Sequence, residues 1–530
     1  MDRKMMIEAR WPNMRFDQLL DRSAWAKAGE GSRYGKMIDP ALAKTGIDWT
    51  GARATLNVAA QFLTSSRIVD QHNVGSNTFT YAKNLDWVTD RVIRMPHWED
   101  DYYYLSAKLE AVDVPTEWFL DEPNGQLYLW ADDGKNPAVR KVVYKKRDYA
   151  LDISGCHYIE VRGLHFFATA FRFDDCNHCV IEDCRLVFPS YSRKPIEGIQ
   201  TPSDFEKEQR CASFVGEDNT VRRTVIAYAS GSGLYIKGKS NMVENCIIHD
   251  VSWYGTLREC ALLVVGQGPG PGGSVVRQST FYNAGNAILV YLNGSHTIEY
   301  NHIYSGGLLC KDVALLGTWN PSTAGSVVRY NWVHGCQTEG HIGRTGSGGF
   351  GIRGDLYTRG LTVHHNVVWD CGWRGIMPRG DHNRIFNNTI FDIGQWNEAA
   401  QKRERGWDLC IQTRAEKETP WPKQFSPLKA QNANSLFYNN AVGKIVWFFG
   451  DKPLPVDKVA NNLEFGEQLP ESWLTDAKKM DFRPRKNSPL IDAGRVIPGF
   501  TDNYNGKAPD IGAYEYGSKQ WKPGSDLIDE

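Results

Sequence analysis

Excess charge of either sign is missing from this chain of 530 residues: 61 Lys and Arg stand against 62 Asp and Glu, a formal net charge of -1. Phosphate recognition needs a basic excess, so nucleic acid is excluded as the main partner. A local basic cleft for an acidic sugar is still compatible with that balance. Long apolar runs are missing too. No stretch approaches the ~18 consecutive apolar residues of a membrane span. The start, MDRKMMIEARWPNM, has charges but no apolar segment after them, and does not read as a signal peptide. Cysteine is scarce, and the count of 11 is odd, which argues against a disulfide scaffold at this length. Cys156, Cys176, Cys179 and Cys184 cluster, and CNHC has a zinc-like spacing, but the second half of a four-ligand set is not evident. Their expected role is that of small buried hydrophobes. With no loop of EF-hand spacing and no HExxH, the reading calls for no metal and no cofactor.

Present in quantity are 50 glycines and 63 aromatic residues, 18 of them Trp. One short pattern recurs: apolar, two variable positions, polar, variable, apolar. It runs IEDCRL at 181–186, VENCII at 243–248, IEYNHI at 298–303, VRYNWV at 328–333, VHHNVV at 363–368 and IFNNTI at 385–390. The polar positions include Asp183, Asn245, Gln278, Asn301, Asn331, Asn366, Asn388, Asn440 and Asn462, and the shortest separations are 22 residues. Roughly ten residues after each lies a second run bounded by Gly, such as ALLVVG (261–266), VALLG (313–317) and FGIRG (350–354). Short strands repeating at this period predict an all-β, right-handed parallel β-helix, a solenoid of stacked coils. The recurrent Asn then sits at an inner corner, where it tolerates left-handed backbone and stacks on the Asn of the next coil. Insertions such as QGPGPGG (267–273) and 396–433 lengthen some coils, and such insertions build walls on one face.

The expected organisation is an N-terminal segment with the first coils over 1–70, a small antiparallel β insert over 71–150, the β-helix over 151–480 and a C-terminal cap over 481–530. The hairpin signals PNG and DDG support the insert.

EWFLDEPNGQLYLW (117–130), the Asn-bearing coils and the ending SPLIDAG…DIGAYEYG resemble secreted right-handed β-helix proteins acting on polysaccharides. The resemblance is closest to glycoside hydrolase family 141 and its relatives, with family 120 similar in its β insert. It implies a polysaccharide or oligosaccharide substrate and an extracellular or periplasmic location. Relatives of this kind begin with a signal peptide and first coils ahead of a segment like KMMIEARWPN, so an absent N-terminal piece or a different cap is expected here.

Glycoside cleavage needs two carboxyl groups flanking the bond, ~5 Å apart in retaining enzymes and ~6.5–9.5 Å in inverting ones. The acids touching the second runs are Glu259, Asp312 and Asp355. The resemblance places an acid before DVALLGTW and after GIRGD, which Asp312 and Asp355 match. With Ala314 stacked on Gly351, strand arithmetic separates these two by roughly 20 Å. In that register Glu259 and Asp312 share a column two coils apart, at ~9.6 Å. Arg353, Arg379 and Lys237 lie in or beside the same runs as substrate-binding candidates. His334 and His364 are candidates in the Asn-bearing strands. Trp319 and Trp373 flank the charged runs and are the expected sugar-stacking residues, whereas Trp332 and Trp369 have apolar neighbours and are expected to pack. Three readings result: a glycoside hydrolase, a polysaccharide lyase eliminating across a uronate with a basic residue as base, and a non-catalytic glycan-binding β-helix.

Overall fold

A computed structural model describes residues 1–530 except 3, 60, 63, 84–97, 192–210, 257–259, 267–271, 319–320, 337–347, 356–357, 398–401, 413–431, 433, 449–453, 468 and 530. The chain forms a right-handed parallel β-helix whose described coils each give one strand to three parallel sheets. Sheet I runs through eleven strands from Tyr149–Ser154 to Ile445–Phe448. Sheet II runs through eleven from Glu160–Arg162 to Val459–Ala460, and sheet III from His165–Phe167 to Leu463–Glu464.

Side-chain alternation makes the core. In each three-residue strand of sheet II the middle residue points inward, giving one aliphatic column of Ile181, Val221, Val243, Val276, Ile298, Val328, Val363 and Ile385, all buried. The outward residue after it alternates in charge from coil to coil: Arg162, Glu182, Arg222, Glu244, Arg277, Glu299, Arg329. Each arginine meets a glutamate in a neighbouring coil, with contacts of 3.0 Å at Arg162–Glu182 and 2.6 Å at Arg329–Glu299.

The Asn ladder is present. The backbone N–H of Asn301 donates to Asn331 Oδ1, Asn331 to Asn366, Asn366 to Asn388, Asn388 to Asn440 and Asn440 to Asn462, at 2.9–3.1 Å. Two details differ from expectation. The left-handed residue is the one before the ladder residue, as at Tyr300, Tyr330, His365, Asn387, Asn439 and Asn461. Asp183, Asn245 and Gln278 occupy that left-handed position, so in their coils the ladder column holds Cys184, Cys246 and Ser279. The repeat pattern slides by one wherever a small residue replaces Asn inside.

Antiparallel strands lie on both sides of position 71. One sheet takes in strands from Arg10–Trp11 to Tyr102–Ser106, and in another Glu117–Asp121 pairs antiparallel with Gln126–Leu129 and parallel with Ile7–Glu8. The hairpin Arg53–Asn57 with Ser65–Gln71 belongs here rather than to a first coil, because its alternation pairs antiparallel. This part docks on the helix beside the candidate site: Lys311 N–H donates to Gln61 O, and Asn57 Nδ2 donates to Leu309 O. After residue 481 the chain packs Phe482, Leu490, Ile511 and Tyr514 against Trp332 and Trp369 on sheet III. Both tryptophans are thus packed, as expected. All eleven cysteines are free thiols and ten are buried. Among the described residues no helix is long and apolar enough to cross a membrane.

Candidate active site

The charged residues in and beside the Gly-bounded second runs meet on the outward face of sheet I, over strands Val313–Thr318, Gly349–Gly354 and Arg374–Pro378. Ala314 stands opposite Phe350, and Phe350 opposite Arg374. The register is therefore one residue off the Ala314–Gly351 pairing used for the distance argument. Asp312 sits at the corner before its strand, at φ 57. Asp355 follows its strand directly and donates its N–H to Thr318 O at 2.7 Å.

Arg353 joins the two acids. Its side chain lies back over the Phe350 ring, with the guanidinium carbon 4.5 Å from the centroid. Nη1 donates to Asp312 Oδ1 at 2.8 Å and Nη2 to Asp355 Oδ2 at 2.6 Å. Across one planar fork those two contacts put the carboxylate oxygens at most about 8 Å apart. The predicted separation of roughly 20 Å counted backbone steps and left out a long side chain that spans them. The other Asp355 oxygen accepts from Arg379 Nη1, and Arg379 Nε donates to Gln412 Oε1 at 2.6 Å. The network thus ties four successive coils. Burial works against the charge on Arg353, but Asp312 and Asp355 outweigh it and hold the guanidinium above its ordinary value. The Asp312 and Asp355 side chains are 18% and 19% exposed, so a solute can reach both.

Arg374 completes the patch. Its guanidinium lies 3.9 Å from Trp373, 4.5 Å from Trp407 and 5.3 Å from Phe350. Burial pushes it down to about 10. Three guanidiniums and two carboxylates thus share one patch walled by three aromatic rings.

Residues 206–396 match a family described as the right handed beta helix region. That span contains Asp312, Arg353, Asp355 and Arg379. A comparison with curated proteins gave no match. Among solved structures the chain is similar to one titled a glycoside hydrolase, 13% identical, covering 71% of this chain and 74% of that one, with a TM-score of 0.45. It is also similar to pectate lyase Pel9A, 13% identical, covering 64% of this chain and 88% of that one, with a TM-score of 0.38.

Trp373 and Arg379 both lie in this patch, Trp373 against the Arg374 guanidinium and Arg379 on Asp355. Lys237 does not. It occupies the same end-of-strand column as Asp355, but four coils away, about 19 Å at the coil spacing. His334 is on sheet III, stacked between Tyr304 at 5.2 Å and Trp369 at 4.0 Å. Burial, then the facing His302, push it down to about 3. His364 is on sheet II, buried edge-on against Phe500 of the cap, with Nδ1 2.8 Å from His365 Nδ1. Burial, with His365 and Arg329 beside it, lowers it to about 2. Both histidines are packing residues on other faces, because strand alternation alone does not say which of three sheets a residue joins. Glu259 and Trp319 lie outside the described residues. Phe350, Trp407 and Gln412 were missed. The register of sheet I, which aligns them with Arg374 and Arg379, is the signal that finds them.

Proposed function

We propose that the chain is a glycoside hydrolase cleaving a plant or algal polysaccharide or oligosaccharide, with Asp312 and Asp355 as the catalytic pair. The observation that carries this reading is the single guanidinium shared by two reachable carboxylates of adjacent coils. A separation of at most about 8 Å covers the ~5 Å of retaining enzymes and extends into the range of ~6.5–9.5 Å of inverting ones, the scheme that leaves room for a water. In that scheme one carboxyl protonates the glycosidic oxygen while the other draws a proton from water attacking the opposite face. Arg353 positions both acids, and Trp373 and Trp407 offer apolar faces to the sugar. A polysaccharide too large to enter a cell accords with work outside the cytoplasm.

One observation favours a second reading. Arg374 has the weakened charge that a base in β-elimination needs, and the surplus of guanidiniums suits a uronate carboxylate. A lyase would make an unsaturated product that absorbs in the ultraviolet.

The test is a panel of plant and algal glycans read for both reducing ends and ultraviolet absorbance. Hydrolysis predicts reducing ends without absorbance, and a loss of about a thousandfold or more in kcat for Asp355→Asn and for Asp312→Asn. Full activity in Asp355→Asn would overturn the assignment. Absorbing products lost in Arg374→Lys would establish the lyase instead. No turnover, with binding unchanged in both Asn variants, would leave a glycan-binding β-helix.

A further inference from the structure

Gln61 and Asp101 form a buried polar contact that the proposed chemistry leaves unused, and it stands next to the corner that carries Asp312. Asp101 is 4% exposed and Gln61 3%. Asp101 comes directly before Tyr102, which pairs with Asn57 between strands Tyr102–Ser106 and Arg53–Asn57. That register brings the Asp101 carboxyl to the turn between Arg53–Asn57 and Ser65–Gln71. Ala59 N–H donates to Asp101 Oδ2 and Gln61 Nε2 donates to Asp101 Oδ1, both at 2.5 Å. Ala59 and Gln61 both lie in the left-handed region, at φ 60 and φ 53. Residues other than glycine keep such angles only where their surroundings hold them. Asp101 supplies one hold on each.

Held in this shape, the turn reaches the β-helix. Asn57 Nδ2 donates to Gly255 O and Leu309 O, both at 3.1 Å, and Thr64 Oγ1 donates to Gly255 O at 2.6 Å. The corner that ends in Asp312 starts at Leu309. The N–H groups of Leu308 and Leu309 donate to Ala284 O and Gly285 O of the preceding coil, and Val313 N–H donates to Gly348 O of the following one. Lys311 N–H goes to neither coil. It donates to Gln61 O at 2.9 Å. Asp312 comes directly after it and is itself left-handed, at φ 57. Arg353 thus grips Asp312 by its carboxyl, while the turn grips the backbone one residue behind it.

We infer that Asp101 is a positioning residue for Asp312: by holding Gln61 it sets the corner on which that carboxyl stands. This rests on the reading of Asp312 as one of the catalytic pair. A reacting group displaced by about 1 Å loses on the order of a hundredfold in rate, so a corner set loosely would cost turnover before it cost the fold. The antiparallel part then has a task at the site, although none of its side chains belongs to the charged patch.

The test uses the full chain and three variants. Asp101→Leu removes both acceptors. Gln61→Gly removes the side-chain bond yet adopts a positive φ without strain, so it keeps the fold if the leucine variant does not. Tyr103→Phe is the control, since it deletes a buried bond of the same sheet, to Asp39 Oδ2 at 2.8 Å, that does not involve the turn. Amide exchange needs no substrate. Exchange at Lys311 should quicken by about tenfold or more in Asp101→Leu and Gln61→Gly and stay as in the parent in Tyr103→Phe. On a glycan that the parent cleaves, the first two variants should lose about tenfold or more in kcat with KM within about twofold, and the control should lose neither. Asp101→Asn keeps one acceptor oxygen and should recover part of the kcat. Unchanged exchange at Lys311 would overturn the inference whatever the chain cleaves. So would parental kcat in Asp101→Leu alongside an inactive Asp312→Asn, and there the catalytic reading would survive. An active Asp312→Asn would sink that reading instead, and quickened exchange at Lys311 would still show that Asp101 sets the corner.

Discussion

Arg353 is the residue on which the candidate site turns. Replacing it with Met keeps most of its bulk over Phe350 but takes from Asp312 and Asp355 the guanidinium that they share. Removing one partner of a buried ionic group costs about 3–5 kcal/mol, and Arg353→Met is expected to fall in that range in urea unfolding. Arg353→Lys keeps the charge but has no planar fork to hold two carboxylates at once. It should recover part of the stability and little of any activity that depends on both acids. A small effect in both variants would show that the acids are held by other contacts. At this scale the sequence singled out Asp312, Asp355 and Arg353, and the structure brings the three into contact. Strand arithmetic misjudged the distance because Asp312 lies at a left-handed corner, off the extended path, and because the Arg353 side chain folds back along its own strand.

Among the elements, the ladders do the most to keep the coils in register. Asn366 accepts from the N–H and Nδ2 of Asn331 and donates to Val328 O, His364 O and Asn388 Oδ1, all between 2.9 and 3.1 Å. Each buried polar group left unsatisfied costs about 1–3 kcal/mol, so Asn366→Ala is expected to cost at least about 3 kcal/mol. Asn462 is the last member and is partly exposed, so water can replace the bonds it loses; Asn462→Ala should cost about 1 kcal/mol. Equal losses in denaturant melts would contradict the ladder as a cooperative feature. The stack was legible because identical residues recurred at 22-residue spacing. The offset in coils holding Cys184, Cys246 and Ser279 was not, since a small thiol or hydroxyl fills the same column without looking like Asn. Sheet III has a ladder that spacing alone did not disclose. His249, Tyr282, Tyr304, His334, Trp369 and Phe391 stack ring on ring, and their faces are used on one another, which makes His334 part of the packing of sheet III. The C-terminal tail closes over this stack, where Asp529 meets Arg185 at 2.7 Å and His249 Nε2 at 2.7 Å.

At the scale of the whole molecule, the coils and the antiparallel part should respond to pH in opposite directions. His296, His302 and His365 are pushed by burial to about 4, His334 to about 3 and His364 to about 2, and all five belong to the coils. The unfolded chain protonates these rings near pH 6.5. Between pH 6.5 and 4 the unfolded state therefore binds more protons than the folded one, and each ring lowers stability by about 1.4 kcal/mol per pH unit as acid is added. Asp101 and Glu117 belong to the antiparallel part. Burial raises both to about 7, against the hydrogen bonds from Gln61 and Ala59 at Asp101 and from Asp113 at Glu117. Their folded forms keep a proton that the unfolded chain gives up near pH 4, so their stabilising effect is complete below pH 4 and is lost as pH rises to 7. Amide exchange compared at pH 5 and pH 8, corrected for intrinsic rates, should show coils 296–365 loosened at the lower pH and residues 7–129 loosened at the higher one. His334→Phe keeps a ring in the stack but cannot titrate, so its stability relative to the parent should improve from pH 7 to pH 5. Asp101→Asn should improve relative to the parent from pH 5 to pH 8. If both variants tracked the parent at every pH, neither group would be held in the protonation state that its burial implies, and the opposite responses of coils and antiparallel sheets would need another source.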